Sequence, residues 1–388
     1  MKIALIRQRY TDFGGAERYV AGLAGYLRRL GHEVHIFAAS WRSSTQDKDR
    51  SVSRSGITFH RVPVAGGLSF IKVLSFALNS RRLLKGKDFD VIHSFERTLY
   101  QDIYRAGDGC HREWLKQREK IDPWYKKYLH PLNPLHRTIL SIEEKIFTED
   151  RCKMIIANSF RGKDEIVRHY GVPSTKIRVI YNPVDVDRFN GPARMEMRDE
   201  VRKTLGVADS DRCILFVGSG FKRKGLLYAI TAASKLRETW QFIVIGRDRA
   251  SAYEKEASRL GIRPFVHFLG PVTDVEKYYL AADLFLFPTI YEPFSNACLE
   301  AMAAGLPIVT SRINGVSEIV VEGTNGYVIE DPLNTDEIKD RIERALQLTR
   351  DSVIEHNREY LKPFSWQNHV RQLLEVYSEV TGNKHQNG

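Results

Sequence analysis

Residues 291–307 read YEPFSNACLEAMAAGLP, and this stretch decides the fold. Its alanine-rich middle consists of strong helix formers, and Ser295 or Asn296 is suited to cap the helix. Gly305 can end the helix before Pro307 opens a strand. A helix set between strands is the repeating unit of a parallel sheet, so the stretch predicts an α/β fold.

The first turn of that helix should present free backbone N–H groups at Phe294, Ser295, Asn296 and Ala297. These donors and the positive end of the helix dipole would form a seat for a diphosphate. Glu292 lies just before the seat. Glu300 lies about one turn further along the helix, among apolar neighbours that leave its charge in need of a partner. A carboxylate there can accept hydrogen bonds from paired sugar hydroxyls; the alternative is that both glutamates are solvated surface charges.

Strand and helix patterns alternate twice along the 388 residues. Short apolar runs separated by helical segments indicate parallel strands that are covered on both faces. In the first half they predict strands at 2–6, 33–38, 90–93, 154–158 and 177–181. In the second half they predict strands at 213–217, 241–245, 265–268, 284–287, 308–310 and 326–329. The pattern predicts two doubly wound Rossmann-like domains with a cleft between them and ligands at the carboxyl ends of the strands.

Composition limits the classes of protein that the chain can represent. The length suits two domains, and 43% hydrophobic residues is ordinary for a globular protein. The four cysteines lie far apart without ligand-like spacing, so we expect reduced thiols and neither a disulfide nor a zinc site. The sequence has no secretory signal pattern and no apolar run as long as a membrane span.

Two glycine-containing turns follow predicted strands, where backbone amides can approach a phosphate closely. The first contains Gly14 and Gly15, and the second starts at Gly218 and leads into Lys222-Arg223-Lys224. A glycine pair alone is more often a plain turn, and a basic triplet is more often a solvated charge run. The position at the end of a strand favours phosphate binding by Arg223 and Lys224, each through charge-assisted hydrogen bonds.

Four of these segments, in this order, resemble the retaining glycosyltransferases of family 4. They are the Gly14-Gly15 turn, the turn from Gly218 to Gly225, the Glu292-x7-Glu300 motif, and the glycine-containing stretch after it. The resemblance covers most of the chain and implies the GT-B fold and a nucleotide-sugar donor. It places the donor against Gly14, Gly15, Gly218, Arg223, Lys224, Phe294, Ser295, Asn296 and Glu300. Ser219 stands where many relatives have arginine, so Arg223 is the expected replacement.

The resemblance also organises the domains. A boundary is expected near Asn182-Pro183, which gives an N-terminal acceptor domain of residues 1–182 and a C-terminal donor domain of residues 183–365. The family pattern implies that residues 366–388 return to the first domain as a helix.

The family's first-domain histidine is replaced here. At its place the sequence has Asp108, as in the lipopolysaccharide core glucosyltransferase branch, and Asp108 is therefore expected to be catalytic with Glu292, Arg223 and Lys224. The open alternatives are that Asp108 only forms the turn and that His111 is the active imidazole. The branch implies UDP-glucose as co-substrate. No cofactor and no metal are expected, because cationic side chains and the helix end can neutralise the leaving diphosphate.

The net charge of +11 calls for an anionic partner. The sequence has no recognised nucleic-acid motif, whereas residues 111–147 mix basic side chains with Trp114, Trp124, Tyr125 and Tyr128. This mixture favours docking on an anionic membrane beside a lipid-linked glycan acceptor, although the aromatic rings could instead pack on the domain. The expected enzyme is a cytoplasmic, peripheral inner-membrane hexosyltransferase of lipopolysaccharide synthesis. The alternatives are a mannosyl- or galactosyltransferase for another glycan or glycolipid, and a catalytically silent sugar-nucleotide-binding homologue.

Overall fold

The computed structural model describes residues 1–10, 15–41, 56–149, 152–189, 194–208 and 210–386. Contacts divide the chain into two compact units. The first comprises Met1–Tyr181 and Gln367–Gly388, and the second comprises Asn182–Trp366. Each unit is built around its own parallel sheet.

In the described part of the first unit the main sheet has seven strands. They are β1 (Lys2–Ile6), β3 (Glu33–Ala38), β5 (Thr58–Arg61), β6 (Val91–Ser94), β7 (Ile103–Arg105), β8 (Met154–Ala157) and β9 (Ile177–Val179), with β2 (Arg9–Tyr10) and β4 (Ser40–Trp41) paired separately. Its strand order is β5-β3-β1-β6-β7-β8-β9, and every pairing is parallel. The sequence did not predict β5 or β7, which are short.

Helices connect these parallel strands because a parallel pair cannot be joined by a tight turn. They are α1 (Gly15–Arg29), α2 (Ser69–Leu84), α3 (His111–Arg118), α4 (Lys126–Leu129), α5 (Pro134–Thr148) and α6 (Phe160–Tyr170). Ile142, Ile146 and Phe147 of α5 are buried in one core cluster with Tyr104 of β7 and Ile155 of β8. This packing fixes α5 against β7, the strand that precedes the Asp108 turn, and against β8.

The second unit repeats the architecture. Its strands are β10 (Arg212–Val217), β11 (Trp240–Ile245), β12 (Val266–Gly270), β13 (Leu284–Phe287), β14 (Ile308–Ser311) and β15 (Gly326–Ile329). Its helices are α7 (Arg194–Leu205), α8 (Leu226–Ala233), α9 (Ser251–Arg259), α10 (Val275–Ala281), α11 (Asn296–Ala303), α12 (Thr335–Ala345) and α13 (Arg350–Tyr360). Helix α14 (Trp366–Gln386) begins at the last residue of this unit and belongs to the first unit from Gln367 onward.

Strand order reverses once in each sheet, at β1 in the first unit and at β10 in the second. The order β12-β11-β10-β13-β14-β15 is that of a doubly wound sheet, in which ligands bind outside the carboxyl ends at the reversal. The predicted α/β fold with two Rossmann-like halves is therefore confirmed. Ligand-binding residues are therefore expected in the loops after β1 and β6, and in those after β10 and β13.

The four cysteines are buried free thiols, as the sequence suggested. Within the described ranges, no helix has both the length and the apolar composition needed to cross a bilayer.

Gly225 provides a test of the turn after β10. Its φ is +75°, and an added Cβ would lie 1.9 Å from the carbonyl oxygen of Pro288. We expect Gly225→Ala to lower the free energy of unfolding by roughly 3 kcal/mol or more, because left-handed strain and a backbone clash add together. Urea unfolding measures the loss.

Gly261→Ala is the matched control, since Gly261 also has a φ of +75° but has no neighbouring atom within 4 Å of the added Cβ. It should cost only about 1 kcal/mol of backbone strain. Equal losses in the two variants would show that the Pro288 contact does not constrain the turn.

Candidate active site

In the second unit, the loops after β10 and β13 are hydrogen-bonded to each other. The backbone oxygen of Arg223 accepts from the N–H of Ile290 at 2.8 Å and from the hydroxyl of Thr289 at 3.1 Å. Because both loops leave the sheet at its strand reversal, these bonds hold the basic turn against the acidic stretch. The two segments that the sequence singled out therefore form one site.

Three of the predicted residues meet there. Arg223 donates from Nη1 to the backbone oxygen of Tyr291 at 2.8 Å and to Oε2 of Glu292 at 3.1 Å. The Nζ of Lys224 lies 3.8 Å from the same carboxylate oxygen. Glu292 thus holds two cations beside the start of α11, and the local excess of positive charge is suited to an anion.

Lys224 is largely buried, with 14% of its side chain exposed. Burial lowers the pKa of its ammonium, and the Glu292 carboxylate opposes that shift. Gly218, whose φ is +151°, makes room for this side chain, since an added Cβ would lie 2.5 Å from the lysine Nζ. The glycine after β10 therefore admits the lysine, a role that the sequence pattern did not reveal.

The start of α11 differs in one respect from the prediction. Ser295 caps the helix, and its Oγ accepts from the N–H of Cys298 at 3.2 Å. Its own N–H is not free, because it donates to Oδ1 of the fully buried Asn314 at 3.2 Å. The prediction of a free Ser295 donor is wrong, since a side chain beyond the next strand occupies it.

Asn314 is a structural residue that the sequence analysis missed. Its Oδ1 also accepts from the N–H of Val316, and its Nδ2 donates to Thr310 at 2.9 Å. Its backbone pairs with that of Glu292. Asn314 thereby joins the helix start to the acidic stretch; an asparagine shortly after a predicted strand was the available signal.

Glu300 lies half-buried on α11, and its Oε2 accepts from the hydroxyl of Tyr279 at 3.1 Å. Tyr279, on α10, therefore supplies one of the hydrogen-bond partners that the Glu300 carboxylate needs. Asn296, the first residue of α11, accepts from the side-chain amide of Asn182. Phe294 is buried just before the cap.

In the first unit, Asp108 lies in the turn between β7 and α3, with 53% of its side chain exposed. Its Oδ2 is 4.0 Å from Nη1 of Arg97, which follows β6. Arg97 also donates to the backbone oxygen of Gly109 at 3.1 Å. The side chain of Asp108 is thus accessible, whereas the backbone of the next residue in the turn is held by Arg97.

His111, the alternative imidazole, is the first residue of α3 and bonds through Nε2 to Nδ1 of His136 at 3.0 Å. Burial, together with the charge of Arg97 and the neighbouring His136, lowers the pKa of His111 to about 3. The ring is therefore neutral near pH 7. His111 is already bonded to His136, whereas the Asp108 carboxylate is exposed. Asp108 is therefore the more accessible of the two groups.

The turn after β1 and the loop after β6 bring together charged residues that the sequence analysis missed. Arg7 lies 3.3 Å from Glu96 and 3.7 Å from Glu17. Burial alone would lower the pKa of Arg7, but Glu96, Asp108 and Glu17 raise it. Burial raises the pKa of Glu96, against the effect of Arg7. Arg7 and Glu96 are single charges just after strands and Glu17 lies in the first turn of α1, and their spacing gave no motif.

The predicted glycine turn of the first unit is only partly described. Gly15 is the first residue of α1. Gly14 lies outside the described residues. Nothing in the described ranges groups three or more His, Cys, Asp or Glu side chains in an arrangement that could hold a metal ion.

The segment 111–147 exposes most of its aromatic rings. We call Trp124, Tyr125, Tyr128, Leu129 and Leu132 the aromatic patch; their exposed fractions are 76%, 49%, 62%, 53% and 69%. Lys127 lies with its Nζ 4.9 Å from the centre of the Tyr128 ring. Trp114, in contrast, is only half-exposed. Three of the four aromatic residues named from the sequence thus do not pack into the unit.

Fold and site together define a protein of the GT-B class, and family models agree. The model for Glycosyltransferase Family 4 matches residues 13–188, and that for Glycosyl transferases group 1 matches residues 197–360. The chain belongs to glycosyltransferase family 4 and is a glycosyltransferase.

Curated relatives match the chain over nearly its full length. An uncharacterized glycosyltransferase of Methanocaldococcus jannaschii is 28% identical, covering 97% of this chain and 98% of its own. The lipopolysaccharide glucosyltransferase WaaG of Escherichia coli is 25% identical, with coverages of 89% and 90%. A D-inositol 3-phosphate glycosyltransferase of Corynebacterium urealyticum is 26% identical, with coverages of 98% and 96%.

Solved structures agree on the fold. The crystal structure of WaaG superposes with a TM-score of 0.80 at 23% identity, covering 98% of this chain and all of that one. Anabaena Alr3699/HepE in complex with UDP-glucose superposes with a TM-score of 0.73 at 18% identity, again covering 98% of this chain and all of that one.

Lys224→Met tests the electrostatics of the site. The lowered pKa means that the charged ammonium destabilises the folded state at neutral pH, and that this cost disappears as pH rises from the lowered value through 10.5. We therefore expect the ligand-free variant to melt at a higher temperature than the parent at pH 7.5. Its affinity for UDP should fall about 10- to 100-fold with the loss of a charge-assisted hydrogen bond.

The control is Lys222→Met, since Lys222 is an exposed neighbour in the same turn. It should change both quantities little. A Lys224→Met protein that melts lower and binds UDP like the parent would contradict the assignment. Calorimetry of unfolding and of UDP titration provides both readouts.

Proposed function

We propose that the chain is a retaining transferase that moves glucose from UDP-glucose to a lipid-linked glycan, with the lipopolysaccharide core as its acceptor. The observation that carries the proposal is the pairing of Arg223 and Lys224 with Glu292 at the strand reversal of the second unit. It is supported by the E. coli relative that is a lipopolysaccharide glucosyltransferase and by the UDP-glucose held by the Anabaena neighbour.

The donor diphosphate binds at the basic turn. Arg223 and Lys224 stabilise the negative charge that develops on the leaving UDP, in a site where burial strengthens each interaction. Glu292 keeps both cations in place before the donor arrives. No cofactor and no metal ion is required in this proposal, because the two side chains supply the charge neutralisation.

The carboxylates orient the sugar nucleotide. Glu300 accepts hydrogen bonds from paired sugar hydroxyls while Tyr279 fixes its second oxygen. Glu292 lies next to the diphosphate seat and faces the hexose. Gly14 and Gly15 are further donor-binding residues in this proposal.

The reaction exchanges one bond to the anomeric carbon for another. The bond from this carbon to the diphosphate oxygen breaks, and the acceptor oxygen bonds on the same face, so that configuration is retained. The proton of the acceptor hydroxyl passes to an oxygen of the departing diphosphate. Asp108 stabilises the positive charge that develops on the sugar.

The acceptor side of the proposal rests on the aromatic patch. Exposed tryptophan and tyrosine rings suit the headgroup region of a bilayer, and the basic residues around them suit anionic lipid. Docking there would hold a peripheral enzyme at the cytoplasmic face of the inner membrane, beside a lipid-linked glycan.

A second candidate is transfer to a soluble phosphorylated acceptor. The relative from Corynebacterium urealyticum, a D-inositol 3-phosphate glycosyltransferase that is 26% identical to this chain, favours this candidate. In that case the aromatic patch would have no role in catalysis. A catalytically silent homologue that binds the donor without transfer is a further outcome of the same experiments.

The donor test is a thermal-shift panel of UDP, GDP and ADP with their hexose conjugates. UDP compounds should selectively raise the melting temperature, because they bind only the folded state. Glu300→Gln should reduce that shift. Asp108→Ala should keep the shift and lower turnover about 100-fold or more, with NMR of the product reporting the anomer.

Controls separate the outcomes of this test. Glu318→Gln, a change at an exposed glutamate of the same unit, should behave like the parent. No shift with any nucleotide would contradict donor binding, and a UDP shift without transfer to lipopolysaccharide core or to inositol phosphate would favour the silent homologue.

The membrane test uses Trp124→Ala/Tyr128→Ala and vesicles with and without anionic lipid. Binding to anionic vesicles should weaken about tenfold or more, because two large rings lose their burial in the interface. Co-sedimentation at low and high salt measures it, and binding of the parent should fall at high salt.

Phe160→Ala is the matched control, since Phe160 is an aromatic residue of the same unit that is 57% exposed outside the segment. It should bind vesicles like the parent. Equal binding by all three proteins would contradict docking through the aromatic patch.

A further inference from the structure

Asp108 lies in a turn whose backbone is held by a buried ion pair. Arg97 follows β6, and Glu143 lies on α5 with none of its surface exposed. The arginine donates from Nε to Oε1 of Glu143 at 2.8 Å, and its Nη2 lies 2.7 Å from the same oxygen. The loop after β6 and helix α5, which are distant in sequence, therefore meet beside the turn.

Both members of the pair also bond to the turn itself. Nη2 of Arg97 donates to the backbone oxygen of Gly109 at 3.1 Å. The N–H of His111 donates to the two oxygens of Glu143 at 2.9 and 3.1 Å. Two backbone groups that follow Asp108 in the turn are thus anchored, one to each charge.

The ion pair is charged and firmly held. Burial alone would lower the pKa of Arg97, but Tyr104, Glu143 and Asp108 raise it above its ordinary value. The hydroxyl of Tyr170 donates to the second oxygen of Glu143 at 2.7 Å. A buried carboxylate with an arginine, a backbone amide and a phenol as partners has satisfied hydrogen bonds in a region of low dielectric.

Such a pair is not needed for stability alone. Apolar residues of similar volume often replace a buried ion pair at no cost in stability. Its specific effect here is geometric, because it fixes a glycine-flanked turn that would otherwise have many conformations.

We propose that Arg97 and Glu143 are positioning residues, which hold the 107–111 turn so that the exposed Asp108 carboxylate is presented to the reacting sugar. The inference rests on the proposed function for its catalytic consequence. It assigns a role to two residues outside the donor motifs, and it makes α5 part of the catalytic framework.

The test replaces the whole pair, in Arg97→Met/Glu143→Leu. We expect its melting temperature to stay close to that of the parent, since the apolar pair can fill the site. We expect kcat to fall about 10- to 100-fold through misplacement of Asp108, with the KM for the donor within about twofold. A variant with parental kcat would overturn the proposal.

A readout that is independent of activity accompanies the kinetics. Hydrogen exchange measured by mass spectrometry on the peptide spanning 107–113 should be faster in the double variant, because the His111 amide has lost its acceptor. Unchanged exchange would contradict the anchoring. If the parent transfers no sugar, the proposed function fails, while the exchange data still decide whether the pair anchors the turn.

Two further variants keep the test decisive. Tyr170→Phe removes one hydrogen bond of Glu143 but leaves the ion pair and both anchors, so its kcat and exchange should match the parent. If the double variant melts far below the parent, Glu143→Gln decides instead. It keeps an oxygen for the His111 amide and removes only the charge that holds Arg97, and parental kcat in that variant would overturn the proposal.

Discussion

Parallel strand pairing is the constraint from which the rest of the structure follows. Because consecutive strands point in the same direction, every connection must cross back over a face of the sheet, and the loops that follow the strands gather at one edge. The reversal of strand order at β1 and at β10 then separates neighbouring crossovers and leaves a gap above the sheet. The charged side chains described above lie in or beside the loops at this edge of each sheet.

The second unit maintains an electrostatic imbalance in the absence of ligand. Arg223 and Lys224 share the carboxylate of Glu292. Lys224 is buried, and its lowered pKa means that burying the charged ammonium costs free energy. In the proposed function, an incoming diphosphate compensates that cost and meets donors that need little reorganisation. The arrangement also requires glycine at two positions of the turn, since a side chain at Gly218 would displace Lys224 and one at Gly225 would meet the Pro288 carbonyl.

Sequence patterns predicted the parts of the fold that depend on local composition. The strands that are buried on both faces, such as β1, β3 and β13, have continuous apolar sequences and were found at the predicted residues. The edge strand β5 reads Thr-Phe-His-Arg, and β7 has only three residues, so neither has an apolar run long enough to detect.

Long-range pairing limited the prediction of the site. Gly218, Arg223, Lys224 and Glu292 were predicted because they follow strands in recognisable motifs. Asn314 and the pair of Arg97 with Glu143 were not, because each acts through a partner many residues away and through backbone groups that leave no pattern. The Ser295 amide was predicted to be free because its acceptor, Asn314, lies beyond the next strand and no local pattern indicates the contact.

The placement of the cysteines makes the two units separately observable. Cys110 and Cys152 belong to the first unit and Cys213 and Cys298 to the second, and burial raises the pKa of each thiol to about 12. A thiol that is both inaccessible and protonated reacts with an alkylating reagent only after the surrounding structure opens. The number of labels on each molecule, two or four, would therefore distinguish the opening of one half of the chain from the opening of both, without any introduced probe.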